Sequence, residues 1–144
     1  MPADPAKYAG TVFYCKADDY VAWDDAYLRG LYDTYGDFAV GAAIAHEFAH
    51  AVQVRATIST QVRFELEQHA DCLTGAWVAS TVYENGLLRL TDGDLDEAIG
   101  GFLAQRDPAD ANGGAATYGT AFQRVAAFQE GITEGAVICT GYAR

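Results

Sequence analysis

Ile44-Ala45-His46-Glu47-Phe48-Ala49-His50-Ala51-Val52-Gln53 decides how the chain is read, because it holds two histidines four residues apart with a glutamate beside the first. On an α-helix such a pair stands on one face, one turn above the other, so His46 and His50 can offer two imidazoles to one cation. The pattern is H-E-x-x-H. With three His and seven Glu in 144 residues, chance would produce it on the order of 0.003 times on composition alone, treating positions as independent. Coincidence is therefore a poor explanation.

Two histidines make a weak site, so a third ligand and its support are needed. They are found in Glu65-Leu66-Glu67-Gln68-His69-Ala70-Asp71-Cys72. The stretch Val62 to Tyr83 reads as a helix with Leu66, Ala70, Leu73 and Trp77 as its apolar stripe. Glu67 and Asp71 are four apart and share a face, which suits a His, His, Glu ligand set with Asp71 accepting the free N–H of one ligand histidine. Glu65 and His69 are rivals for the third position, but each lies roughly 200° around the helix from Glu67. The expected ion is one Zn²⁺ per chain. It would lower the pKa of a water toward about 7 and polarise a carbonyl, with Glu47 as the general base.

The rest of the chain frames this pair of helices. Thr11 to Cys15 and Tyr20 to Trp23 read as a β-hairpin around Lys16-Ala17-Asp18-Asp19. Ala26 to Tyr35 reads as a helix ending at Gly36. Asp37 is placed to cap the next helix, which runs to about Arg55 and would turn Val40, Ile44, Phe48 and Val52 inward. A helix is expected from about Asp94 to Gln105. The cluster Asp92, Asp94, Asp96 and Glu97 lacks the twelve-residue spacing of a calcium loop and is read as helix-start acids. Arg106 to Gly119 reads as a long flexible loop, and Thr120-Ala121-Phe122-Gln123 as a capping box opening a last helix that starts at about Ala121 and runs to Gly131 or beyond. Residues 1–10 read as a flexible N-terminal segment ahead of a single domain. Gln53, one turn beyond His50, receives no role from sequence alone. Trp23, Trp77 and most tyrosines are assigned to core or cleft wall.

Beyond the ligands, the chain resembles the neutral zinc metallopeptidases of bacteria, within the gluzincin group that pairs H-E-x-x-H with a later E-x-x-A-D. Phe13-Tyr14-Cys15-Lys16-Ala17-Asp18 is similar to that family's F-Y-C-P-A-D, Ile44 to Gln53 to its active-site helix, and Ala70 to Trp77 to its A-D-C-x-A-G-x-W. Gly93 to Ala98, Gln123 to Gly131 and Cys139 continue the likeness, which is collinear from about Thr11 to Cys139. The resemblance implies a minimal zincin-like domain of α+β class, mainly α, with the hairpin followed by about five helices. It also implies a zinc-dependent endopeptidase acting on a peptide or protein. Two departures matter. The family commonly has E-L-Q-A-D-C, and aligning Glu65-Leu66 with that motif would nominate Glu65. We anchor on Ala70-Asp71-Cys72, which keeps Glu67. Where the family has Thr-His-Gly this chain has Thr117-Tyr118-Gly119, so any oxyanion contact would fall to the Tyr118 hydroxyl. That change motivates the alternative of a catalytically inactive zincin scaffold serving as a zinc-stabilised binding module.

Composition narrows the partners. A net charge of −11 and a pI near 4.4 argue against nucleic acid and anionic membrane surfaces, because there is no basic stripe to neutralise phosphate. The longest apolar run, Phe38 to Ala45, is eight residues against the roughly twenty that a membrane span needs. Cys15, Cys72 and Cys139 allow three different single bridges, among which the sequence does not choose. The resemblance pairs Cys72 with Cys139 and, with its exported members, suggests an extracytoplasmic setting in which Met1 opens a trimmed or mature chain. Oligomeric state and cleavage specificity are not readable.

Overall fold

The structure, a computed structural model, describes residues 9–58, 60, 62–84, 86–106 and 117–142. Val12–Cys15 (β1) and Tyr20–Trp23 (β2) carry the β-branched and aromatic side chains that suit a pleated pair. They run antiparallel with Val12 opposite Trp23 and Cys15 opposite Tyr20. Helix α1, Asp25–Tyr35, begins where the Asp24 carboxylate accepts from the Ala26 amide, which satisfies one of the free N–H groups of its first turn. Helix α2, Asp37–Arg55, follows after Gly36.

That junction corrects one expectation. Asp37 is the first residue of α2 and not its cap; the Phe38 amide is instead taken by Glu97 Oε2 at 2.9 Å. Gly36, at φ +117°, makes this possible, since a Cβ there would overlap the Glu97 carboxylate. Glu97 belongs to α4, Asp94–Ala104, so one acid of the cluster joins two helices. Asp94 is used locally, accepting from the amide and hydroxyl of Thr91.

Helix α3 spans Arg63–Val78 and passes into π-helical turns over Ala79–Glu84, so the single helix expected to Tyr83 changes pitch near its end. Thr120 and Gln123 form the expected capping box of α5, Ala121–Glu134. A short α6, Ala136–Cys139, brings the described α-helices to six against the five expected. The chain is α+β, mainly α, with one hairpin. Most of the expected loop after Arg106, including Pro108 and Asn112-Gly113-Gly114, lies outside the described residues, as does most of the N-terminal segment.

Packing is closest between α3 and α5. A Cβ at Gly75 would overlap the carbonyl of Phe128, and one at Gly131 would overlap the carbonyl of Cys72, so the two backbones meet where only glycine fits. The main core lies alongside, built from Phe38, Ala42, Val78, Ala98, Phe102 and Phe128. A second cluster of Val12, Leu28, Leu31 and Ala43 seats the hairpin and α1 on α2.

Of the large side chains expected to face inward on α2, Val40 and Ile44 pack half-buried against this second cluster, but Phe48 and Val52 do not. Phe48 and Val52 are 58% and 49% exposed, while Ala39, Ala42, Ala43 and Ala49 are buried. The small side chains let α2 lie close to its neighbours, which residues the size of Phe48 would hold apart. Phe48 and Val52 instead wall an open apolar groove with Leu73 and Trp77.

Cys72 of α3 is bridged to Cys139 of α6 across a sequence separation of 67, with Cys15 free. Closing a loop of this size removes about 4 kcal/mol of unfolded-chain entropy in the chain-entropy account. The double variant Cys72→Ala/Cys139→Ala should therefore lose about 2–4 kcal/mol of unfolding free energy in urea titrations. Reduction of the wild type should move the midpoint in the same direction.

Candidate metal centre

His46 and His50 project from one face of α2 with ring centroids 4.9 Å apart and planes nearly perpendicular. Glu67, on α3, reaches between them: its Oε2 lies 3.1 Å from His46 Nε2 and 3.4 Å from His50 Nε2. Two imidazole nitrogens and one carboxylate oxygen thus meet around one point. Ligand-capable atoms of His46, Glu47 and His50 also lie within 4.8 Å of one another. The Glu47 carboxylate is anchored from the hairpin, where the Tyr14 amide of β1 donates to Oε2 at 2.7 Å.

The far side of each imidazole is occupied as well. His46 Nδ1 stands 2.8 Å from Asp71 Oδ1. The contact is short but off the angle of a hydrogen bond, so it acts chiefly as electrostatic attraction. Asp71 is fully buried and receives Arg124 of α5 through two parallel bonds, Nε to Oδ2 at 2.8 Å and Nη2 to Oδ1 at 2.7 Å. Arg124, also fully buried, donates to the Gln105 carbonyl and lies over the rings of Phe102 and Tyr118 at 4.9 and 5.5 Å. His50 Nδ1 faces Gln53 Oε1 at 2.9 Å. Arg63 reaches Glu67 Oε1 with Nε and Nη2 at 3.2 Å from the exposed side.

The structure thus gathers His46, Glu47, His50, Glu67 and Asp71 in one cluster. It turns Glu65 toward the Thr60 hydroxyl and buries His69 beside Gln53, away from the point where the ligands meet. Tyr118 sits against Arg124, and its carbonyl accepts from Gln68. Sequence reasoning missed Arg124, the Tyr14 amide and the engagement of Gln53. Arg124 had left a signal, since it falls on the α5 face that carries the buried Ala127, Phe128 and Gly131, where a charge needs a partner.

Electrostatics follow from this arrangement. Burial works against a charged His46, but the Asp71 and Glu67 carboxylates outweigh it and push the ring up to about 9. Burial would raise Glu67, yet its bonds with both histidines hold it well below the usual carboxylate range. Asp71 is likewise held down against burial, chiefly by Arg124. Glu47 is shifted the other way, upward, by burial. The donor set suits zinc: two nitrogens and one oxygen converge, the opposite nitrogen of His50 is bonded to Gln53, and that of His46 faces the Asp71 carboxylate.

These shifts set the stability of the metal-free protein. The contribution of His46 is fully present below its unfolded value of about 6.5 and is lost as pH rises through about 9. Those of Asp71 and Glu67 are present above about 4 and are lost as pH falls through their depressed values. Urea midpoints of metal-free protein should therefore be highest between about pH 4 and 6.5 and decline on both sides. A midpoint that rises between pH 6.5 and 9 would contradict this placement of His46.

Comparison with known proteins identifies the family. Residues 3–141 match the family described as putative neutral zinc metallopeptidase. Uncharacterized protein YpfJ of Escherichia coli K12 is 31% identical over 148 residues, covering 85% of this chain and 50% of its own. Uncharacterized proteins Mb2605 of Mycobacterium bovis and Rv2575 of Mycobacterium tuberculosis are each 29% identical over 161 residues, covering 91% of this chain and 54% of theirs. The chain spans about half the length of these curated relatives. No solved structure matches it. With nearly its whole length matched and H-E-x-x-H at the centre of the cluster, the chain belongs to the putative neutral zinc metallopeptidase family.

Proposed function

We propose that the chain is a zinc-dependent endopeptidase in which His46, His50 and Glu67 hold the ion and Glu47 is the general base. The observation that carries this reading is the meeting of both Nε2 atoms at Glu67 Oε2, with Glu47 alongside. Zinc bound there supplies a Lewis acid for the scissile carbonyl and a water that ionises near neutral pH. Glu47 accepts the proton of the attacking water and returns it to the leaving amine. Burial raises its carboxyl toward the range a base needs, and the Tyr14 amide keeps it in place. Burial also raises Tyr118, so its hydroxyl stays protonated and can donate to the oxyanion. An extended peptide lies along the hairpin by strand addition. The Cys72–Cys139 bridge supports an extracytoplasmic setting.

Elemental analysis should find about one zinc per chain. His46→Ala and Glu67→Ala should strip it, and Glu65→Ala should not. Glu47→Gln should retain zinc while peptide cleavage falls roughly 10²-fold or more. Wild type that binds zinc but cleaves no unfolded protein or peptide library would favour the inactive scaffold instead.

Asp71→Asn tests the support of His46. It removes the charge that faces both His46 and Arg124, so zinc affinity should drop about 10- to 100-fold. The buried Arg124, left without its counter-charge, should cost about 3–5 kcal/mol of stability. Chelator competition and urea titration read the two effects separately, and a variant unchanged in both would remove Asp71 from the site.

A further inference from the structure

We infer that Gln53 is a positioning residue that fixes which nitrogen of His50 faces the metal site. The inference rests on the zinc reading above, but its geometry stands in the metal-free protein. Gln53 is 3% exposed and follows His50 by one turn of α2. An amide side chain can sit either way round, and here its surroundings choose. The atom 2.7 Å from the Leu66 carbonyl must be the nitrogen, since that oxygen only accepts. The amide oxygen is then the atom 2.9 Å from His50 Nδ1. An amide oxygen cannot donate, so Nδ1 carries the hydrogen. An imidazole that ligates a metal is neutral and has one such hydrogen, so with Nδ1 holding it the lone pair is on Nε2, the atom that faces Glu67.

The second N–H of Gln53 is directed at His69 Nδ1, 3.0 Å away. Both amide hydrogens are thus used, and turning the group over would set oxygen against the Leu66 carbonyl. Leu66 directly precedes Glu67, so one turn of α3 supplies both the carboxylate and the carbonyl that orients Gln53. The register of α2 against α3 therefore sets the third ligand and the His50 tautomer together. His69, a sequence rival for the ligand position, serves as a wall of this lock.

The test reads the His50 Nδ1–H directly, as a slowly exchanging imidazole proton in ¹H–¹⁵N spectra of metal-free and zinc-loaded protein. Zinc affinity is measured in parallel by chelator competition. Wild type should show the proton. Gln53→Leu, similar in size, should lose its protection and bind zinc about 10- to 100-fold more weakly. Gln53→Glu keeps an acceptor toward Nδ1 but sets its second oxygen against the Leu66 carbonyl, so it should retain the proton with an affinity between those of wild type and Gln53→Leu. Absence of the proton in wild type overturns the inference, as does a Gln53→Leu variant that keeps both proton and affinity. If Gln53→Leu fails to fold, the wild-type spectrum decides: the proton present supports the lock, and its absence overturns it. Wild type that takes up no zinc would sink the peptidase reading, while the metal-free spectrum would still decide the role of Gln53.

Discussion

Asp71 is a carboxylate with no access to solvent, and the positions of three helices depend on how its charge is met. Taking such a group out of water costs several kcal/mol unless close partners of opposite charge offset it. One partner is Arg124 from α5 and the other is His46 from α2, so the acid on α3 draws in both neighbours. Backbone contact at Gly75 and Gly131 lets α5 come near enough for the two-bond pairing with Arg124. The Cys72–Cys139 bridge adds a covalent tie beside it. The orientation of one proposed ligand is thus linked to a helix that contributes no ligand.

Helix α2 answers two demands with one sequence. Its inner face carries alanines and both histidines, small enough to approach α3 and α4 and polar where Glu67 waits. Its large apolar residues, Phe48 and Val52, are left outside with Leu73 and Trp77. A pattern reading weights side chains by hydrophobicity and so carried the inward stripe of Val40 and Ile44 on to Phe48 and Val52. What decided the burial was backbone distance, a tertiary quantity that periodicity does not contain.

What was legible followed from local rules. The hairpin, the C-terminal ends of α1 and α2, the capping box at Thr120 and Gln123, and the histidine pair all depend on residues within a few positions of one another. Glu67 and Asp71 could be found because the i, i+4 rule places them on one face. The cap supplied to Phe38 by Glu97 spans 59 residues, the anchor from Tyr14 to Glu47 spans 33, and the pairing of Arg124 with Asp71 spans 53. No local rule reaches across such intervals. Gln53 is a different failure: its position was noted, but its role depends on which atom meets the Leu66 carbonyl, and only the assembled helices show that.

Charge within the cluster explains why these distant contacts belong together. Glu47, Glu67 and Asp71 bring three carboxylates into one buried region, against the fully buried Arg124 and an exposed Arg63 that touches only the outer oxygen of Glu67. The excess negative charge is between one and two units, and a low-dielectric setting makes it costly to leave unmet. In the metal-free protein a proton on His46 meets part of it, which is why that ring is pushed up to about 9 despite its burial. A divalent cation would meet the excess more fully, and its uptake would release that proton, since an imidazole ligates through a lone pair. Metal affinity and protonation are then two responses of one electrostatic imbalance, and Asp71, the carboxylate that does most to raise His46, need not touch the ion.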